Sequence, residues 1–98
     1  MFDKMQQLLE MKKKMQEVKT ELENTDFEVA SSDGVFKVTM NGTQMVKGVS
    51  IQGDLSGIDK AVLERSAQDA YNRAIKRSHD LAAQKMKSVT GFNIPGLT

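Results

Sequence analysis

Ninety-eight residues, 39% of them apolar and 28% charged with a net charge of +1, are enough for one domain near the lower size limit for a self-sufficient core. The absence of cysteine excludes disulfides and thiolate metal sites, and no apolar run approaches the roughly 20 residues that a membrane span needs. The N-terminal MFDKMQQLLEMKKK carries acids early and lacks the unbroken apolar stretch of a signal peptide, so the sequence predicts a soluble, cytoplasmic chain.

Residues 2–24 lack Gly and Pro and are rich in Gln, Glu, Lys, Met and Leu, which predicts a first helix. Leu8, Met11, Met15, Val18 and Leu22 recur in steps of three and four and fall within an arc of about 80°. So narrow a seam resembles that of a coiled coil more than the broad face of a core helix. It predicts a protruding helix that packs on another helix or across a dimer contact. Glu10 and Lys14 stand at the favourable i,i+4 spacing for an ion pair. Across residues 1–24, five lysines (4, 12, 13, 14 and 19) balance five acids.

Asn24-Thr25-Asp26 ends this helix, and Phe27 and Val29 open a strand over about residues 26–31. Ser31-Ser32-Asp33-Gly34 is a turn into the central hairpin. There, Phe36, Val38 and Met40 alternate with Lys37 and Thr39 in a strand over 35–40 with one buried face. Asn41-Gly42 follows at once and predicts a tight turn with positive φ angles. A third strand over 44–52 resumes the alternation at Val49 and Ile51, with Gly48 marking either a bulge or a weak point.

After a loop at 53–57, in which Ser56 with Asp59 forms a capping box or Asp59 is itself the cap, a long helix is predicted over 59–89. Leu63, Ala67, Ala70, Tyr71, Ala74, Ile75, Leu81, Ala82 and Val89 fall within about 140° of arc. Arg65, Arg73, Lys76, Arg77 and Lys87 fall on the other side, whereas Lys85 lies among the apolar residues. At about 45 Å this helix is longer than a three-stranded sheet can cover, so its distal half projects or finds a partner. Gly91 stops it, and 90–98 reads as an irregular apolar tail. The expected class is α+β in one domain over 1–98: helix, three-stranded antiparallel sheet, long helix. Burying each seam residue is worth about 1.5–3 kcal/mol, against about 5–15 kcal/mol for a whole small domain. A two-fold homodimer is the simplest way to cover the seams and strand edges.

In order, the charged Met-rich first helix, the hairpin Phe36-Lys37-Val38-Thr39-Met40-Asn41-Gly42, the strand Val49-Ser50-Ile51, the segment Asp69-Ala70-Tyr71-Asn72-Arg73-Ala74 and the terminal Pro95-Gly96-Leu97 resemble the YbaB/EbfC family of bacterial nucleoid-associated proteins. The resemblance spans nearly the whole chain. It implies a tweezer-like homodimer whose helical arms protrude from a shared sheet, bind duplex DNA with little or broad sequence preference and help organise the nucleoid. Three positions depart from the family pattern. Gln52-Gly53 stands where Asp-Pro is usual, Gly57 is extra, and Arg73 replaces a common Asp.

The residues offer a separate argument for DNA. Between Arg73 and Lys87 five cations (Arg73, Lys76, Arg77, Lys85 and Lys87) face one acid, Asp80. Basic side chains gain affinity by releasing the counterions condensed on a duplex, and two protomers reach roughly six to ten phosphate contacts. Lys12, Lys13 and Lys14 are further candidates, although consecutive residues spread over about 200° of helix surface. Simple solvation is the plain alternative for all these cations. No helix-turn-helix spacing, zinc ligand set or stacked-aromatic strand motif supports base reading. Catalysis has little to stand on: His79 is the only histidine, the glycines form no phosphate loop, and neither a cofactor, a metal nor a small-molecule substrate is expected. The rival reading is a prefoldin-like helical clamp for other proteins, whose seven methionines supply adaptable contacts. It predicts exposed apolar residues at the arm tips and binding insensitive to salt.

Overall fold

A computed structural model describes residues 2–90. The chain runs through helix α1 (Phe2–Glu23), strands β1 (Asp26–Ala30), β2 (Phe36–Asn41) and β3 (Val46–Ile51), a single 3-10 turn at Leu55–Gly57, and helix α2 (Lys60–Thr90). The apolar tail expected beyond Gly91 lies outside the described residues.

Three antiparallel strands form one sheet in the order β1-β2-β3. Residues directly opposite each other in such a sheet share a face. Phe27 and Val29 of β1 therefore lie on the same side as Val38 and Met40 of β2, and Val49 and Ile51 of β3 join them opposite Val38 and Phe36. The register slips between Thr39 and Met40, which pair with Gly48 and Val46 and leave Lys47 as the extra residue of a bulge beside Gly48.

Helix α2 lies on this apolar face, chiefly over β2 and β1. Ala70 and Ala74 have no side chain beyond Cβ, so the helix approaches closely and closes a core with Phe27, Val38 and Met40. Val38 and Met40 are 2% and 0% exposed. All six residues of β3 remain open to solvent, including Val46, Val49 and Ile51. The alternation in β3 is thus real, but its apolar face stays exposed in the single chain.

Beyond the sheet the distal half of α2 runs alongside α1. Met15, Val18 and Leu22 share a groove with Ala82 and Met86, and Lys85 meets Glu21 at 3.0 Å. Val18 and Leu22 are buried there, whereas Leu8, Met11 and Met15 stay exposed, Leu8 by 71%. The chain measures 67 × 23 × 15 Å with a radius of gyration of 18.1 Å, far above the roughly 13 Å of a compact chain this long. Paired helices projecting from a small sheet account for the difference.

Three local expectations need correction. Gly42 does not take a positive φ; that angle falls on Gln44, at 65°. Asn41 pairs with Met45 around a three-residue loop, in which the last residue is left-handed. Ser56 does not begin a capping box for α2, because its N–H is used by the Asp54 carboxylate in the 3-10 turn; the first bond of α2 runs from Leu63 N–H to the carbonyl of Asp59. Glu10 and Lys14 form no ion pair; the i,i+4 pairs among the described residues are Lys60–Glu64 and Arg73–Asp69.

Candidate nucleic-acid interface

On α2, Arg73, Lys76 and Arg77 lie on the flank of the helix nearest β1. Together with Asp80 and Val29 they line an open groove. Two of the three cations are held in place. The Nε of Arg73 donates to Asp69 at 3.0 Å, one turn earlier on the same helix. The Arg77 guanidinium lies 5.5 Å above the ring of Phe27, a buried β1 residue. A guanidinium over an aromatic face gains the ring's quadrupole and keeps its five N–H donors at the edge. Lys76, between them, is exposed and has no ion pair among the described residues. Such an arrangement presents planar, partly oriented donors of the kind that match phosphate oxygens.

Asp69 also ties this flank to the rest of the molecule. Its carboxylate accepts the N–H and hydroxyl of Ser32 in the β1–β2 turn. Those bonds, the backbone one first, together with the Arg73 guanidinium, hold its pKa below the usual carboxylate value. Beside it Asp33 accepts the hydroxyls of Ser31 and Ser66 and the N–H of Val35, and its pKa is lowered to about 2. The turn and α2 are therefore clamped to each other by two ionised carboxylates.

The other candidate residues fall into two groups. Lys87 is eleven residues from Lys76, close to three full turns, and so extends the same side of α2 by about 16 Å. Lys12, Lys13 and Lys14 are all exposed, but they lie on α1; Lys14 borders a groove with Glu17, Glu21 and Ser88. Lys85 is turned toward α1, half-buried and neutralised by Glu21. The structure thus gathers Arg73, Lys76, Arg77 and Lys87 on one flank and separates Lys85 from them. His79 is exposed, and among the described residues no group of three His, Asp or Glu is placed to hold a metal. No helix there is long and apolar enough to cross a membrane.

Sequence reasoning did not find Asp69 or Phe27 as the supports of Arg73 and Arg77. The first was detectable, since Asp69 and Arg73 stand at i,i+4 in a helical pattern. Contact between Phe27 and Arg77 spans the fold, and nothing local announces it.

Residues 1–92 match the profile of the YbaB/EbfC DNA-binding family. The chain belongs to that family. It is 32% identical over 95 residues to a nucleoid-associated protein of Clostridium kluyveri, an alignment covering 95% of this chain and 83% of that one. Among solved structures it is similar to an uncharacterized protein of Helicobacter pylori, with a TM-score of 0.67 and 21% identity over 93% of this chain and 94% of that one. That likeness concerns the fold, and it supports the α+β architecture of helix, three-stranded sheet and long helix. Membership of the YbaB/EbfC family makes this a DNA-binding protein of the nucleoid-associated type.

Proposed function

We propose that the protein is a homodimer that binds duplex DNA with little or broad sequence preference and helps organise the bacterial chromosome in the nucleoid. The observation that carries this reading is the α2 flank, where Arg73, Lys76 and Arg77 surround an open groove and two guanidiniums are held by Asp69 and Phe27. Phosphate contact needs no base-specific element, and each neutralised phosphate releases counterions. Preference among sequences then comes from duplex shape and deformability.

The uncovered apolar face of β3 supports the homodimer. Val46, Val49 and Ile51 are exposed there, and Tyr71 lies on the side of α2 away from Arg73 and Arg77. A second copy meeting this face gives both protomers the missing layer and repeats the basic flank by symmetry.

A mobility shift of a random-sequence duplex at two salt concentrations tests the reading. Binding is expected to weaken steeply with salt, and replacing Arg73, Lys76 and Arg77 together by Ala weakens it for every sequence while the dimer persists. A triple variant that binds as well as the parent would reduce this flank to a solvated surface. The protein-clamp reading draws on one specific observation, the exposure of Met5, Leu8, Leu9 and Met11 on the distal part of α1. Arms acting as a protein clamp hold their ligand as firmly at high salt as at low.

A further inference from the structure

Among the described residues, the buried polar side chain with the most hydrogen bonds is one that carries no charge. Asn41, at the end of β2, is 2% exposed. Its Oδ1 accepts the N–H and hydroxyl of Thr43 and the N–H of Met45, at 3.0, 2.8 and 3.0 Å, which closes the hairpin loop. Its Nδ2 points the other way and donates to the carbonyl of Glu23 at 3.1 Å. The next N–H, that of Gly42, donates to the carbonyl of Leu22 at 2.8 Å.

Those carbonyls are the last two of α1. A helix leaves its final four C=O groups without partners from within the helix. Here Asn24 and Thr25 serve Thr20 and Glu21 locally and the Thr25 N–H reaches Leu22 at 3.3 Å, while the hairpin tip adds the Gly42 N–H to Leu22 and supplies the Asn41 side chain to Glu23. From the opposite side Ser78 of α2, fully buried, donates to the backbone carbonyl of Asn41 at 3.3 Å. One residue thus touches the root of α1, the sheet and α2. Gly42 is required for closeness rather than for its φ angle. A Cβ there would stand 2.6 Å from Leu22 Cδ2 and 2.9 Å from both Leu22 Cβ and the Leu22 carbonyl oxygen. A side chain could rotate away from the first contact; relieving the last requires the backbone of α1 to move.

We propose that Asn41-Gly42 is the shoulder of the molecule. It fixes the direction in which the α1–α2 arm leaves the sheet, and Asn41 is thereby a positioning residue for duplex binding. This rests on the DNA reading given above. Arg73, Lys76 and Arg77 stay beside the sheet, whereas Lys87 rides on the arm, so a small change of angle at the root is multiplied along the arm and takes Lys87 out of register with the other three. Neither Asn41 nor Gly42 contributes charge, so altering them changes geometry and leaves every cation in place.

The chain has no cysteine, so Gln7→Cys on the arm and Ser50→Cys on the sheet accept a pair of nitroxide labels specifically. Diluting labelled chains into excess unlabelled protein confines pulsed electron resonance distances to one chain. The parent is expected to give one narrow distance. In Gly42→Ala, and independently in Asn41→Ala, the distance shifts or broadens, sedimentation still reports the parent's assembly, and duplex affinity falls by about tenfold with a shallower dependence of log K on log salt. The slope separates positioning from mere destabilisation. Partial unfolding lowers the competent fraction and so the apparent affinity, but leaves the number of phosphates contacted unchanged. Parent-like distances in both variants overturn the shoulder, and so does a displaced arm that binds with the parent's affinity and slope. A parent that binds no duplex overturns the DNA reading instead, and the distances alone then decide whether the shoulder exists.

Discussion

Asp33 shows how single side chains hold this small fold together. Its carboxylate is ionised at neutral pH and gathers the Ser31 and Ser66 hydroxyls and the Val35 N–H, so its pKa falls from 3.8 to about 2. A pKa lowered by folding means that the folded state prefers the ionised form. The stabilisation is complete above the ordinary value and is lost as pH falls through the folded one. Urea unfolding of the parent and of Asp33→Asn should therefore differ near neutral pH, with the parent more stable. The gap should begin to close below about pH 4 and vanish near pH 2; a gap constant over that range would deny the carboxylate its role. Met40 is the apolar counterpart, with no exposure at the centre of the core. Met40→Ala leaves a cavity beneath α2 and should cost about 2–5 kcal/mol in the same unfolding experiment.

At the scale of elements, much was legible. Period-two alternation in Phe36, Val38 and Met40 and the long helical runs on either side specify the helix, three strands and helix, because each pattern is set by local geometry. The partners of exposed-looking faces were not legible. Val18 and Leu22 of the α1 seam found α2, while Leu8 and Met11 of the same seam did not, and nothing in the spacing divides them. On α2 the spacing alone puts the basic residues on one side of a helix, but the Glu21 that neutralises Lys85 comes from the other helix. This division has a consequence for binding. Lys76 and Lys87 face solvent on the β1 flank, so Lys76→Ala and Lys87→Ala should each lower the steepness of log K against log salt by about 0.9 for each phosphate left without its cation. Lys85→Ala should leave that slope nearly unchanged, since its charge is already balanced by Glu21. An equal effect from all three would mean that the whole helix circumference, not one flank, meets the duplex.

For the molecule as a whole, the decisive feature is that its sheet is only two-thirds covered. Helix α2 spans β1 and β2, and β3 keeps Val46, Val49 and Ile51 on the same apolar face in water, Val49 being 62% exposed. Burying each such side chain is worth about 1.5–3 kcal/mol, a large share of the roughly 5–15 kcal/mol that stabilises a domain. The exposed seam of α1 offers a second place where copies could meet, and the two surfaces lie at opposite ends of an elongated protomer. One pair of substitutions separates them. Val49→Glu puts a charge where a β3-to-β3 dimer would exclude water, and an unpaired charge there is strongly disfavoured. It is expected to raise the dimer dissociation constant by more than about a hundredfold, which corresponds to a loss near 3 kcal/mol. Leu8→Glu, at the distal part of α1, should leave the dimer intact. Sedimentation velocity at micromolar concentration reads both outcomes, with circular dichroism checking that each variant keeps its helices. Because a lone protomer presents one basic flank in place of two, Val49→Glu should also lower the salt dependence of duplex binding to about half. If Leu8→Glu dissociates the dimer and Val49→Glu does not, the copies meet along their arms. The basic flanks would then be held apart by the coiled seam and not by a shared sheet.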